Sequence, residues 1–103
     1  MVLLATRANH DFKRYHSRVY HMKEGDHIRV KDGIEDPDFK GKNLSGYTGY
    51  IEDIDENNLV GILWDESTIM RFDRKFKKKC DRKNLDHTRM VLSTDEIEVI
   101  ESK

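Results

Sequence analysis

From residue 74 to 83 the chain reads RKFKKKCDRK, which places Arg74, Lys75, Lys77, Lys78, Lys79, Arg82 and Lys83 within ten positions. Cations at that density attract the phosphates or carboxylates of a partner, and they catalyse nothing by themselves. Inside the molecule they have one competing use, which is to answer the acids between residues 34 and 56. Cys80 and His87 offer a nucleophile and a base, but no third residue is indicated to orient them. No phosphate-cradling glycine loop or catalytic signature occurs. A non-catalytic protein is expected.

Carboxylates suggest cation binding next. Asp53, Asp55 and Asn57 match the first three ligand positions of an EF-hand loop. Asn58 stands where that loop requires glycine, and Trp64 where it requires glutamate, so DENN reads as a hairpin turn. Asp32, Glu35, Asp36 and Asp38 crowd an earlier loop, where a hard cation, or else solvent with Lys31 and Lys40, would relieve their repulsion. For zinc, Cys80 and His87 supply two of the usual four ligands, and His10, His16 and His21 lie in the irregular N-terminal stretch. No metal or cofactor is expected.

Aromatic side chains offer a third kind of chemistry. Phe39, Tyr47 and Tyr50 fall beside turns and form a candidate aromatic surface for a proline-rich segment or a methyl-ammonium group. Trp64 and Phe72 sit in apolar runs and read as core.

The elements that must position these residues are short. In DHIRVKD, Ile28 and Val30 alternate with polar residues, as a half-buried strand requires, and Gly33 closes it with a turn. GYTGYIEDID supplies a second strand, with Gly46 and Gly49 bracketing a tight turn or a bulge. LVGILWD is a third, mostly buried strand. Ile69, Phe72, Phe76 and Cys80 then step by three, four and four, which predicts one helix at about 72–83. Asp73 suits its start and Asn84 its left-handed stop. MVL and DEIEVIE, with Ile97, Val99 and Ile100 inward, supply one or two closing strands. Short strands with glycine turns and one interrupting helix predict a small barrel. Before residue 23, Phe12, Tyr15, Val19 and Met22 fit a short amphipathic helix, while 18–22 fit an extra strand equally well.

EGDHIRVKDG followed by GYTGYIEDID resembles the KOW-type signature of SH3-like barrels in ribosomal proteins and transcription elongation factors. In those families the loop between the first two strands touches RNA. Here that loop, IEDPDFKGKNLS, carries three acids within EDPD, a poor face for phosphate. Residues 23 to about 101 resemble more closely a group of small bacterial SH3-like-barrel proteins without an agreed activity. The shared pattern runs through Gly25, Asp26, Val30 and Gly33, then DPDF at 36–39, Gly46 and Gly49. It continues through Trp64, Asp65, Thr68, Cys80, the NLD at 84–86, Met90 and Leu92. The resemblance implies a mainly β fold, a small SH3-like barrel at 23–103 with one short inserted helix, and an N-terminal extension at 1–22.

With 103 residues, 38% of them charged and 36% hydrophobic, the chain supports one compact domain around a small core. Its net charge of −1 conceals segregation, with a strongly acidic stretch at 23–69 and a strongly basic one at 70–90. The lone Cys80 excludes an intramolecular disulfide. No apolar run is long enough for a membrane helix, so a cytoplasmic protein is expected. Together these features predict a binding module for a protein partner or assembly component. The alternative is nucleic-acid binding through the basic helix at 71–83.

Overall fold

The computed structural model describes residues 22–103; the helix or strand expected before Met22 falls outside the described residues. Five antiparallel strands form one sheet: β1 (His27–Val30), β2 (Thr48–Ile54), β3 (Leu59–Trp64), β4 (Arg89–Ser93) and β5 (Ile97–Glu101). Their spatial order is β4-β3-β2-β1-β5, so β1 to β4 pair in succession, and β5 returns to the far side of β1. The fold is therefore mainly β. No helix among the described residues is long and apolar enough to cross a membrane.

Alternation places Ile28 and Val30 in the core from β1, and Val60, Ile62 and Trp64 from β3. In β2 the apolar residues Ile51 and Ile54 are three apart, which an even strand would send to opposite faces. A bulge resolves this. Ile51 pairs with Ile62 and Asp53 with Gly61, so Glu52 is the extra residue and Ile54 still packs against the core. Opposite the bulge, a Cβ at Gly61 would meet the Asp53 carboxylate, which would have to rotate away. Gly46 adopts φ +81 in the turn before β2, as expected. Gly49 does not bound that turn but lies within β2, where a Cβ would meet the Leu63 carbonyl oxygen at 2.6 Å. It allows β2 and β3 to approach closely.

The acidic stretch between β1 and β2 is itself a small folded hairpin. Leu44 N–H donates to the Ile34 carbonyl at 2.8 Å, Glu35 bridges Asn43, and Asp36 N–H donates to the Lys42 carbonyl at 2.8 Å. Leu44 is 1% exposed and pins this hairpin to the core. DENN forms the expected turn, with Asn58 at φ 65 and Asp55 accepting from the N–H groups of Asn57 and Leu59.

The helix expected at about 72–83 forms as the second of two, α2 (Arg74–Arg82), and a short helix that was not expected, α1 (Glu66–Ile69), precedes it. Two carboxylates set the starts. Asp65 accepts from Thr68 N–H at 3.0 Å and Asp73 from Phe76 N–H at 2.7 Å, each satisfying an orphan donor at a helix start. A cap at 73 ends the preceding helix, and Phe72 sits buried in the connection. Asn84 stops the chain after α2 at φ 58, as its type suggested. A single 3₁₀ turn (Thr94–Glu96) separates β4 from β5, so the closing segment is two strands. Ile97 is buried and Val99 half-buried, whereas Ile100 is 44% exposed and does not face inward.

Asp26, fully buried at the start of β1, accepts from the N–H groups of Lys23 at 3.1 Å and Lys103 at 3.0 Å. Burial pushes its pKa up, but those donors and the Lys23 charge outweigh it and hold the carboxyl below its ordinary range. The Gly-Asp pair thus ties the segment before β1 to the end of β5.

Candidate functional site

One end of the molecule gathers its cations between the 36–42 hairpin and α2. Arg74, Lys75, Lys78, Lys79, Arg82 and Lys83 are exposed and Lys77 is half-buried. Lys75, Lys79 and Lys83 recur every four residues and share one side of the helix. They border a groove of about 530 Å³, to which the hairpin adds Lys40 and Lys42 and the inter-helix connection adds Arg71. Two acids, Asp38 and Asp73, also line it.

Whether these cations answer the acids of 34–56 is decided by distance. Among the described residues, no carboxylate lies within 4.0 Å of any of those cationic groups; the Lys and Arg ion pairs are Lys23–Asp26, Arg29–Glu98 and Arg89 with Glu52 and Asp86. What holds the hairpin to α2 is different. The Lys83 ammonium donates to the Asp38 backbone carbonyl at 2.8 Å and lies 4.7 Å from the Phe39 ring centroid. The Lys42 ammonium lies 4.2 Å from the Phe76 centroid, with the Phe72 and Tyr47 rings at 5.6 and 5.8 Å. Arg71 covers Tyr47 at 4.6 Å. Ring quadrupoles position these cations without neutralising them. Their charge remains available.

Of the aromatic surface expected from Phe39, Tyr47 and Tyr50, Phe39 and Tyr47 line one cavity and Tyr50 lies apart. Phe39 packs edge-on against Phe76, with centroids 5.2 Å apart. Tyr47 is only 7% exposed and belongs to the core beside Trp64 and Phe72, because straight after the Gly46 turn its N–H donates to the Leu44 carbonyl and its carbonyl accepts from Val30 N–H, which holds it against β1. Tyr50 is 43% exposed and stacks on His27 at 4.7 Å, away from the other two. Lys40, Lys42 and Arg71 were not anticipated at the groove. The only sequence signal for the first two is the KGK at the hairpin tip, which becomes informative once the hairpin folds onto α2.

Below the cationic groove a second cavity, of about 360 Å³, opens between the hairpin, α2 and the start of β4. Leu44, Trp64, Phe72, Phe76, Leu85 and Met90 give it an apolar lining, and Asp36 and Cys80 border it. Asp36 is 4% exposed, and burial pushes its carboxyl pKa up despite the Asp38 N–H that it accepts at 2.7 Å. Cys80 is 2% exposed; burial and then the charges of Asp36 and Asp81 push its thiol up, so it stays protonated at neutral pH. His87 is half-buried, edge-on to Phe72.

A separate polar cluster joins β1 to α1. His27 Nε2 donates to Asp65 Oδ2 at 2.8 Å, Ser67 Oγ donates to Asp65 Oδ1 at 2.7 Å, and Thr48 N–H donates to Thr68 Oγ1 at 2.9 Å. Burial alone would raise the Asp65 pKa, yet the bonds from Thr48, His27, Ser67 and Thr68 hold it well below the usual carboxylate range. Asp65 lies between the imidazole and the hydroxyl, so neither activates the other. The cluster fixes α1 to the sheet. Among the described residues, no three histidine, cysteine or acidic side chains converge to hold a metal ion.

Comparison with protein-family models, with curated proteins and with solved structures finds no match to the chain.

Proposed function

We propose that the chain is a non-catalytic interaction module on an SH3-like barrel, and that its groove between the 36–42 hairpin and α2 receives an acidic segment of a protein partner. The barrel reading draws support from the strand order β4-β3-β2-β1-β5, the bulge in β2 and the 3₁₀ turn between β4 and β5. The observation that carries the binding reading is the set of cations on and around α2 without a carboxylate in reach among the described residues. Unneutralised like charges crowded on one helix repel one another, and an acidic ligand relieves that repulsion.

A protein segment suits the groove better than single-stranded nucleic acid. Bases are held largely by stacking on open aromatic faces. Here Phe39 and Phe76 each already carry an ammonium, from Lys83 and Lys42. Carboxylates need no such platform.

The test is fluorescence anisotropy with labelled octaglutamate, single-stranded RNA and duplex DNA of matched charge, at physiological salt. The peptide should bind, and the double variant K75E/K79E should weaken it by about tenfold, as the loss and reversal of two surface charges implies. Binding of either nucleic acid in preference to the peptide would replace the protein partner with a nucleic acid. No binding of any probe would reject the groove.

A further inference from the structure

The acidic partner assigned above has a backbone to accommodate as well as side chains, and β4 offers a place for it. Trp64 N–H donates to the Thr88 carbonyl at 2.8 Å, and Thr94 N–H to the Asn58 carbonyl at 3.0 Å, at the two ends of an unbulged β3–β4 ladder. Bonded and non-bonded pairs alternate along an antiparallel ladder. Met90 and Leu92 therefore direct their backbone groups to β3, while Arg89, Val91 and Ser93 direct theirs outward. Arg89 N–H is taken by the Asp86 carbonyl at 3.1 Å and Ser93 N–H by Glu96 Oε1 at 2.9 Å. The N–H and C=O of Val91 meet no backbone or side-chain partner among the described residues. Its side chain is 57% exposed.

Sheet edges are usually blunted by proline, lysine, bulges or a covering segment. β4, with sequence RMVLS, has no proline or lysine and no bulge. Arg89 to Val91 also border the apolar cavity, and Phe39, Lys42, Phe72 and Phe76 line both that cavity and the cationic groove. The other edge strand, β5, contributes no residue to either. Arg89 is already engaged by Glu52 and Asp86, so continuity with the lysines of the groove, rather than charge on the strand itself, selects β4.

We propose that the acidic partner segment binds in extended form as an added strand on β4. Its backbone exchanges both hydrogen bonds with Val91, alternate side chains enter the cavity beside Trp64 and Met90, and its acids run on to Lys42 and Lys83. This rests on the acidic-partner reading, and adds to it a conformation and a register.

The experiment titrates full-length protein with a blocked peptide, Glu-Glu-Val-Thr-Val-Glu-Glu, and with the same peptide N-methylated at its central three residues. Variants are V91P, which removes an outward N–H from an edge position that tolerates proline, and V91T, which keeps it. The NMR amide shift of Val91 should move on binding. V91P and the N-methylated peptide should each lose about tenfold in affinity, the worth of one to two net hydrogen bonds, while V91T stays within about threefold. Folding of V91P is checked by its own NMR spectrum; should it unfold, the N-methylated peptide on wild-type protein decides. Equal affinity for the plain and N-methylated peptides, with K75E/K79E still impaired, overturns the added strand and leaves the acidic groove standing. No binding of the plain peptide by wild-type protein overturns both.

Discussion

Replacing Asp65 by alanine should destabilise the protein by about 2.5–4 kcal/mol, from the sum of a lost helix cap of about 1 kcal/mol and a lost charge-assisted bond of about 1.5–3 kcal/mol. The cap is the Oδ1 contact to Thr68 N–H at 3.0 Å, and the charged bond is the Oδ2 contact to His27 Nε2 at 2.8 Å. Little solvent screening softens either, because the Asp65 side chain is 12% and that of His27 23% exposed. Asp65→Asn retains the capping oxygen but sets an NH2 donor against His27 Nε2, so it keeps the cap and loses the charge-assisted bond, and it should cost about 1.5–3 kcal/mol. Urea unfolding at pH 7, at unchanged m-value, measures both. In the native protein the carboxyl pKa lies below its unfolded value of about 4. Its contribution is therefore fully present above that unfolded value and is lost as pH falls through the folded one. The gap between wild type and Asp65→Asn should accordingly be widest near neutral pH and shrink below about pH 4. An Asp65→Ala protein within about 0.5 kcal/mol of wild type would refute the reasoning, since that is the range of an ordinary surface change. So would a wild-type to Asp65→Asn gap that does not change between neutral and strongly acidic solution.

Gly49→Ala should cost about 1–3 kcal/mol by overpacking, because the new Cβ meets the Leu63 carbonyl at 2.6 Å and Ile62 Cγ2 at 2.9 Å; urea unfolding reads this directly. Asp36→Asn should stabilise the protein at neutral pH. The folded-state pKa of Asp36 is raised, so its contribution is full in acid and lost as pH rises through that pKa, and the advantage of Asn should grow with pH in thermal melts. Cys80 should react with a thiol reagent under native conditions far more slowly than a small free thiol, since it is 2% exposed and its thiolate is disfavoured; a rate matching the free thiol would contradict its burial.

The strands were legible because their patterns are local. Ile28 and Val30 at period two, and a near-continuous LVGILW, leave few other choices. The turns at Gly33 and Asn58 followed from residues that tolerate left-handed backbone. The short helix α1 was harder to see, because Ile69 keeps a helical spacing with Phe72, Phe76 and Cys80 across the break. Asp73 reads as the start of α2, whereas Asp65 follows a strand run and its cap on α1 shows only in the fold. Tyr47 was misplaced for a different reason: a residue beside a turn is exposed only when the turn stands clear of the core, and here Leu44 anchors it. The candidate groove was half-readable. The cations of α2 are contiguous in sequence, but Lys40 and Lys42 join them only through the folding of the 36–42 hairpin, a tertiary event with no local signature. Whether the basic helix was neutralised internally also depended on distances that no sequence pattern encodes.

Whether the cations around α2 receive an acidic protein segment is decided by a residue-resolved NMR titration of the whole chain with octaglutamate at low and then physiological salt, with RNA and duplex DNA in parallel. Peptide-induced shifts should concentrate on Lys40, Lys42, Arg71 and residues 74–83, weakened but not abolished as salt rises toward a screening length of about 8 Å. A spectrum unmoved by the peptide at low salt would contradict binding of such a segment.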